Sequence, residues 1–380
     1  MFEYQKTGKY FAQISDGLES LAAEELTSLG GTQVRPGYRG LHFHADRKTL
    51  YAIHYNTRLA TRILTPLRTF DCRNRDDLYR VGKDIDWTEL FSIHHTFAVS
   101  ANVSGNEAIR HSKFAALCLK DAVADRFRQR CGCRPDVDAR NPDVWLNLYI
   151  ERNRATIYLD TSGGSLHRRG YRMETVTAPM PETLAAAVVA FSGWDGAKPL
   201  HDPLCGSATL LCEALMKVCR IPAGFLRKHF GCRFLPDFDK ILWDQMKREW
   251  DEGIVPLPEG LIAGSDLDAE ALNAARANCR MLPGGDSILF SRNDFRAIGN
   301  LENRVILCNP PYGLRMREEA DLPGFYKELG DFLKQRCKGS EAYIYFGNRE
   351  MLKCIGLKPA WKKPVRNADL DGRIAKYELY

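Results

Sequence analysis

The chain has 380 residues, of which 44% are hydrophobic and 27% are charged. This length predicts two or three domains, because one domain usually takes about 100 to 200 residues. No apolar run approaches the ~20 residues that cross a bilayer, and residues 1–7 resemble neither a signal peptide nor a transit peptide, so the sequence argues against a membrane protein and favours a cytoplasmic location.

The formal net charge of +6 is concentrated in the first half of the chain. Residues 1–175 hold 26 Lys and Arg against 21 Asp and Glu, and 20 of these basic residues are Arg. Arginine binds phosphates and stacks on bases, which favours a nucleic-acid partner, although a solvated charged surface explains the bias equally well. The 12 cysteines are scattered as reduced thiols usually are, and Cys131 and Cys133 lack zinc-ligand spacing, so no metal is expected.

Residues 1–61 alternate between strand and helix patterns. Segment 10–14 predicts a strand, 18–29 carries apolar residues at helical spacing, 40–45 predicts a return strand and 48–59 a second helix. This β-α-β-α order is typical of a ferredoxin-like subdomain.

Residues 62–160 predict a second, small α/β module. Its predicted strands are 62–70, 96–103, 144–151 and 154–159, and its predicted helices are 76–84 and 112–130. The Gly- and Ser-containing run 161–165 then opens a linker that we expect to extend to residue 175.

Residues 176–380 carry the pattern of a doubly wound α/β sheet. The predicted strands are 199–202, 261–266, 287–291, 304–308, 341–346 and 374–379, and the predicted helices are 184–191, 208–219, 268–279 and 324–336. Strands that alternate with helices favour a parallel sheet with helices on both faces. Ligands of such sheets bind beyond the carboxyl ends of the strands, so the loops there are candidate binding sites.

The first candidate loop follows the predicted strand 199–202 and opens a helix. It contains Asp202, Pro203, Cys205, Gly206, Ser207, Ala208 and Thr209. Its backbone N–H groups and small side chains can form a close-fitting loop under a cofactor. The loop matches neither a P-loop nor a GxGxxG motif, and taken alone it is explained about as well by an ordinary strand-to-helix turn.

Two later strands end near acidic residues. Asp266 can accept hydrogen bonds from both hydroxyls of a ribose, whereas Asp268 is better placed to cap the next helix. Asp294 can accept from the amino group of an adenine, with Phe295 packed nearby, or it can satisfy its own loop backbone. These positions indicate recognition of an adenosine.

The most specific motif is Asn309-Pro310-Pro311-Tyr312, at the end of an apolar strand. The two prolines fix φ and remove two donors, which leaves backbone carbonyls free to point into a cleft. The Asn309 side-chain oxygen and the Pro310 carbonyl can accept both hydrogens of a planar amine and turn its lone pair toward an electrophile. Tyr312 can stack on the ring that carries the amine. The alternative, a Pro-Pro turn that only ends a strand, is disfavoured because three cofactor-like loops precede it.

With these motifs the sequence resembles the Rossmann-fold methyltransferases that carry an N-terminal THUMP domain, especially the guanine-N2 methyltransferases of large-subunit (23S) ribosomal RNA. Segments 165–172 and 178–186, with Gly313 and Arg315, add to the resemblance. It implies a THUMP RNA-binding domain at 62–160, S-adenosyl-L-methionine as cofactor, and an RNA substrate. One departure is Ala208, where the family usually has Gly, and where Ala is crowded if the position needs a positive φ.

The resemblance also suggests RNA contacts and leaves alternatives open. The candidate RNA contacts are Arg168, Arg169, Arg172 and Arg315. For the first three, a surface charge on a linker is an equally good explanation. The same amine clamp could act on a transfer-RNA guanine, on adenine N6 in a nucleic acid, or on a glutamine amide of a protein. A non-enzymatic RNA-binding protein is disfavoured by the intact loops, and we expect a monomer.

Overall fold

The computed structural model describes residues 1–174, 179–312, 322–367 and 370–380. Within these ranges the chain forms two seven-stranded sheets, one in each half. None of the described helices combines the length and the apolar composition needed to cross a membrane.

The N-terminal half is built on one mixed sheet. Its strands are β1 (Lys9–Ile14), β2 (Thr32–Gly37), β3 (Gly40–His44), β4 (Ala60–Asp71), β5 (Phe97–Ser104), β6 (Val144–Glu151) and β7 (Arg154–Asp160). Its helices are α1 (Glu3–Thr7), α2 (Glu19–Ser28), α3 (Arg47–Asn56), α4 (Arg75–Asp84) and α5 (Ser112–Cys131). The strand order is β2-β3-β1-β4-β7-β6-β5, antiparallel except for the parallel pair of β5 and β6. A single sheet therefore runs through both predicted N-terminal units, with β4 paired to β1 on one side and β7 on the other.

This sheet has one covered face and one open face. In β6, Leu146 and Leu148 are buried. Asn147 and Tyr149, which point to the opposite face, stay partly exposed. Strand β1 shows the same alternation. Helices α2 to α5 supply apolar side chains to the buried core, so the other face of the sheet remains available to a partner.

The C-terminal half is a doubly wound sheet. Its strands are β8 (Leu200–Asp202), β9 (Ile262–Asp266), β10 (Leu289–Arg292), β11 (Val305–Cys308), β12 (Glu341–Phe346), β13 (Trp361–Asn367) and β14 (Leu370–Glu378). Its helices are α6 (Glu182–Phe191), α7 (Thr209–Val218), α8 (Lys240–Glu252), α9 (Ala269–Arg280) and α10 (Leu322–Arg336). The order is β10-β9-β8-β11-β12-β14-β13, with the first five strands parallel and β13 and β14 forming an antiparallel hairpin. The strand order reverses between β8 and β11, and such switch points are where open α/β sheets bind ligands.

The run 161–165, predicted to open a linker, is held in place by the C-terminal half. The guanidinium of Arg227 donates hydrogen bonds of 2.9 to 3.0 Å to the carbonyls of Ser162, Gly163, Gly164 and Ser165. Thr161 is buried and accepts a backbone hydrogen bond from Cys232. A Gly-Ser composition indicated flexibility, but one arginine satisfies four consecutive carbonyls and orders the segment.

Four elements were not predicted from the sequence. Helix α1 has only five residues, which is too short for a periodic pattern. Strands β2 and β13 lie at sheet edges and contain Pro36 and Pro364, and proline is tolerated in strands mainly at edges. Helix α8 did leave a signal, because Asp239 caps its first turn and Trp243 and Met246 are buried at a spacing of three.

Candidate active site

The loop after β8 is tightly folded. The buried Asp202 accepts a hydrogen bond of 3.0 Å from the backbone N–H of Leu204, and the N–H of Cys205 bonds the Ser265 carbonyl at 3.0 Å. Ala208, the N-cap residue of helix α7, has φ of 64°. The condition stated for this departure from Gly is therefore met: the position has a left-handed backbone, which an L-residue adopts at a cost of about 1 to 2 kcal/mol.

Gly206 and Asp266 join this loop to the end of β9. The N–H of Gly206 donates to Asp266 Oδ2 at 2.8 Å, and Asp266 Oδ1 accepts from the N–H of Asp268 at 3.0 Å. A Cβ built on Gly206 would meet no described atom within 4 Å, so the space beside the loop is open. Asp268 caps α9 by accepting from the N–H of Glu270, as the sequence predicted.

The electrostatics of this loop favour a cationic ligand. Burial, with a smaller contribution from the nearby charge of Asp266, raises the pKa of Asp202 to about 8. A carboxyl group in this state ionises readily only when a positive charge comes close. A cationic group bound beside Asp202 would therefore favour the ionised form of its carboxyl.

Asp294 lies after β10 and already has partners. Its Oδ1 accepts from the N–H of Arg296 at 3.0 Å, and both carboxylate oxygens lie within 3.2 Å of the Arg296 guanidinium. Asp294 therefore makes the hydrogen bonds to its own loop that the sequence analysis gave as the alternative to adenine recognition. A carboxylate has about four acceptor sites, so the pair with Arg296 leaves capacity for an amino group.

Asn309 follows the fully buried strand β11 and carries an unsatisfied acceptor. Its side chain is 8% exposed, and its Oδ1 is buried without a hydrogen-bond partner among the described residues. Leaving a buried acceptor unpaired costs about 1 to 3 kcal/mol. The neighbouring turn is anchored, because Tyr326 of α10 donates its hydroxyl hydrogen to the Pro311 carbonyl at 3.1 Å. The unpaired Oδ1 of Asn309 thus lies beside a turn that is fixed by a hydrogen bond from Tyr326, as is typical of a side chain that binds a ligand.

Tyr312 is positioned by residues at the end of β12. Its ring meets the ring of Tyr345 edge-on, with the centroids 6.3 Å apart. A Cβ on Gly347 would lie 2.6 to 2.8 Å from Cγ, Cδ1 and Cδ2 of the Tyr312 ring, so the ring rests directly on the Gly347 backbone. Sequence reasoning missed Tyr345 and Gly347, although a Gly directly after an apolar strand was a usable signal.

The structure brings these predicted residues to one edge of the sheet. Strand β11 pairs in parallel with β8, which pairs in parallel with β9, so their carboxyl ends lie side by side. Burial raises the pKa of the Cys308 thiol, and the charges of Asp202 and Asp266 also act to raise it. The Asn309–Tyr312 motif and the 202–209 loop therefore lie at the same edge of the sheet.

Arg169 has a different role from the RNA contact suggested for it. It is 2% exposed, and its guanidinium bonds Glu213 Oε1 at 3.2 Å and the carbonyls of Leu166 and Arg58 at 2.7 and 2.5 Å. Glu213 also lies 3.7 Å from the guanidinium of Arg58 and accepts from the Tyr171 hydroxyl at 3.2 Å. Because Arg169, Glu213 and Tyr171 are buried, Arg169 is not accessible to a phosphate. A lone Glu in the apolar helix α7 was the signal for this cluster.

Arg172 supports the cofactor loop. Its guanidinium bonds Glu182 at 3.0 Å and Thr209 Oγ1 at 3.1 Å, and it lies 3.5 Å from Ser207 Oγ. It therefore ties helix α6 to the start of α7. Arg168 is exposed and is compatible with an RNA contact.

The remaining predicted positions are the two residues after the Tyr312 motif and the candidate metal ligands. Gly313 and Arg315 lie outside the described residues. In the described part of the chain, no group of three or more His, Cys, Asp or Glu residues is arranged to hold a metal ion, and Cys131 and Cys133 are exposed free thiols.

The fold is that of a class I methyltransferase with THUMP and ferredoxin-like domains at its N-terminus. The chain matches the RMKL-like methyltransferase domain over residues 169–376, the THUMP domain over 72–160 and the RlmL ferredoxin-like domain over 9–64. The chain therefore belongs to the RMKL-like methyltransferase family. This membership confirms the predicted fold class and the expected cofactor, S-adenosyl-L-methionine.

Known relatives extend over nearly the whole chain. It is 41% identical to slr0064 of Synechocystis sp., named as a proposed RNA methyltransferase, over 98% of this chain and 97% of that protein. It is 37% identical to the ribosomal RNA large subunit methyltransferase K/L of Syntrophotalea carbinolica, over 98% of this chain but 53% of that protein. The chain thus spans about half the length of the K/L relatives. SMU.472, a methyltransferase candidate solved in complex with SAH, has the same fold, with a TM-score of 0.85, 24% identity and 98% of each chain covered.

Proposed function

We propose that this chain transfers a methyl group from S-adenosyl-L-methionine to the exocyclic N2 amine of a guanine in large-subunit ribosomal RNA. The observation that carries the proposal is the unpaired, buried oxygen of Asn309, next to the loop after β8. An acceptor that is kept unpaired in a protein interior needs a donor from a ligand. A planar amine offers two hydrogens, one for Asn309 and one for the Pro310 carbonyl.

The loops after β8, β9 and β10 would hold the cofactor. Asp266 would accept from the ribose hydroxyls and Asp294 from the adenine amino group, while residues 203–209 would line the amino-acid part. The open space beside Gly206 leaves room for it, and the high pKa of Asp202 matches a cationic ligand. When bound, this cofactor supplies a methyl group that is already activated by its sulfonium.

The residues of the amine clamp would align rather than activate the nucleophile. Asn309 and Pro310 would accept the two amine hydrogens, so that the nitrogen lone pair faces the methyl carbon. Tyr312, resting on Gly347, would stack on the base that carries the amine. Such orientation can contribute about 7 to 11 kcal/mol to a reaction. The methylated nitrogen becomes acidic and releases its proton to water, so a strong general base is not required.

Two features support RNA as the substrate. The THUMP match and the names of the K/L relatives point to ribosomal RNA, and the basic excess lies in the N-terminal half. A base within a helix cannot reach a clamp of this kind, so the target guanine must be unpaired or flipped out. Arg168, in the linker, and Arg315, three residues after Tyr312 in the sequence, are candidate phosphate contacts.

The test is to identify the methylated nucleoside. The full chain is incubated with deuterium-labelled S-adenosylmethionine and with RNA from cells that lack this protein, as naked ribosomal RNA, large-subunit particles and transfer RNA. The RNA is digested and the nucleosides are analysed by mass spectrometry. We expect labelled N2-methylguanosine in large-subunit RNA.

Each other product would replace the proposal with one alternative. Labelled N2-methylguanosine in transfer RNA alone would make the protein a transfer-RNA methyltransferase, and labelled N6-methyladenosine would make adenine the target. Absence of label from all RNAs, when the cofactor binds normally, would refute an RNA methyltransferase function.

A further inference from the structure

The open face of the N-terminal sheet carries a cleft of about 650 Å³ that is distant in sequence from the methyl-transfer motifs. The cleft crosses strands β3, β1, β4, β7, β6 and β5, and its floor is formed largely by the side chains that alternate with the buried core. A cavity of this size is in the range that binds small organic groups.

Aromatic rings line the cleft. The rings of Tyr38 and Tyr149 lie nearly parallel, 28° apart, with their centroids separated by 6.4 Å. Tyr38 is 63% exposed, which is unusual for a large aromatic side chain without a partner surface. On the adjoining strands Phe11 packs against His42, with centroids 4.9 Å apart. Flat, partly exposed rings on a sheet are platforms on which nucleobases stack.

The floor of the cleft also carries unsatisfied hydrogen-bonding capacity. Asn147 Oδ1 accepts from the Ser100 hydroxyl at 2.5 Å, but its Nδ2 is buried and has no partner among the described residues. Gln13 and Asn102 add further amide groups to the lining. A buried amide donor without a partner costs free energy, and base carbonyls and ring nitrogens are acceptors that can satisfy it.

The cleft borders the catalytic edge of the other sheet. Its rim includes Arg366, which lies near the tip of the β13–β14 hairpin and pairs with Asp16 at 3.3 Å. In the same part of the hairpin, where Gly372 pairs with Val365, a Cβ on Gly372 would lie 2.2 Å from the Tyr345 hydroxyl, and Tyr345 contacts the ring of Tyr312. The hairpin thus links the cleft to the amine clamp through direct contacts.

We propose that this cleft binds a single-stranded segment of the RNA substrate by stacking its bases between Tyr38, Tyr149 and Phe11, so that the adjoining nucleotides are led along the hairpin to the clamp. The inference rests on the proposed RNA substrate. The charges at the rim are balanced, with Arg39 and Arg366 against Asp16 and Glu151, so stacking rather than phosphate binding sets the affinity. This chemistry selects single strands, because bases in a duplex have no free faces.

The first test measures binding of the full chain to fluorescent, unstructured oligoribonucleotides by anisotropy, with a duplex of equal length as comparison. Tyr38→Ala and Tyr149→Ala should each raise the Kd for the single strand at least about fivefold, the lower end of what one base stack contributes. Tyr38→Phe, which keeps the ring, should retain the affinity. Phe114→Ala is the matched control, because Phe114 is an exposed aromatic (44%) on helix α5. It should leave the Kd unchanged.

The second test maps the contact on the wild-type chain. Oligoribonucleotides containing 4-thiouridine are cross-linked by light, and the modified peptides are identified by mass spectrometry. We expect cross-links on the peptides that contain Tyr38 and Tyr149. Cross-links confined to other surfaces, or unchanged affinities in both tyrosine variants, would overturn the proposal.

The outcomes separate this proposal from the proposed function. If the tyrosine variants and the wild type methylate ribosomal RNA equally and bind single strands equally, the cleft has no role while the function stands. If single strands bind in the cleft but no RNA is methylated, the binding site stands and the methyltransferase function on RNA fails.

Discussion

The two sheets of this chain offer binding groups in different ways. In the C-terminal sheet the central strands are buried, so polar groups collect in the loops at the strand ends, where Asp202, Asp266 and Asn309 meet. In the N-terminal sheet one face is open, and the groups lie along the strands, as Asn147 and Tyr149 do. A parallel sheet thus creates a point-like site suited to chemistry. A half-covered sheet creates an extended surface suited to docking.

This difference between the sheets is also the reason why the sequence marked the strand-end loops but not the cleft on the open face. End-of-strand loops are contiguous in sequence, so residues 202–209 and 309–312 could be recognised as motifs. The cleft on the open face draws single residues from several strands, and no local pattern marks them. The cleft can be recognised only when the pairing of β3, β1, β4, β7 and β6 in one sheet is known.

The largest effect is expected at the clamp. Asn309→Ala removes the unpaired acceptor and should lower the rate of methyl transfer at least about 100-fold, the scale on which single positioned hydrogen-bonding groups act in catalysis. The Kd for S-adenosylmethionine, measured by calorimetry, should change little. Asn273→Ala, at an exposed position of α9, is the matched control and should transfer methyl at the wild-type rate. Normal turnover in Asn309→Ala would show that the strand-end site is not the site of chemistry.

A smaller loss is expected when the support of Tyr312 changes. Gly347→Ala places a methyl group within 2.6 Å of the ring and should displace it, lowering kcat by about 10- to 100-fold because misplacement of the order of 1 Å has such consequences. Cofactor affinity and Tm should stay near wild type, which distinguishes a positioning role from a structural one. Gly299→Ala, where no described atom lies within 4 Å of the new Cβ, should be silent. Equal kinetics in both variants would contradict the assigned role of Gly347.

The contact between the two halves can be tested through its buried charges. Glu213→Gln leaves Arg58 and Arg169 buried without their counter-charge and should lower the free energy of unfolding by about 3 to 5 kcal/mol. The exposed Glu259 provides the control, since Glu259→Gln should have an effect near zero. Denaturation followed by circular dichroism measures both. If the two variants unfold alike, the polar cluster does not hold the halves together.

The smallest effect concerns Asp202 and its pH dependence. Burial raises the pKa of this carboxyl from 3.8 to about 8, so between these values the folded chain holds a proton that the unfolded chain has lost. Stability should therefore fall as pH rises through this window. Asp202→Asn lacks the titration, and its stability relative to wild type should increase steadily as the pH rises from 5 to 8 and then level off. A constant difference across this range would mean that Asp202 is ionised throughout.

Local patterns were sufficient for most of the C-terminal sheet. Its strands from β8 to β12 and the capping role of Asp268 follow from periodicity and turn chemistry. The role of Arg169 could not be predicted, because a basic residue in a Gly- and Arg-rich segment looks exposed until Glu213 and Arg58 are brought next to it by the fold. Burial is a tertiary property, and it decided whether an arginine contacts RNA or a buried glutamate.

In the proposed function, residues 309–312 present an amine to the methyl group of a cofactor that the 202–209 loop holds. A crystal structure of the chain with S-adenosylhomocysteine tests it most directly. We predict the cofactor sulfur in the cleft opposite the Asn309 oxygen and the Pro310 carbonyl, with the ribose hydroxyls on Asp266. A cofactor bound elsewhere, or a sulfur facing away from Asn309, would contradict the account.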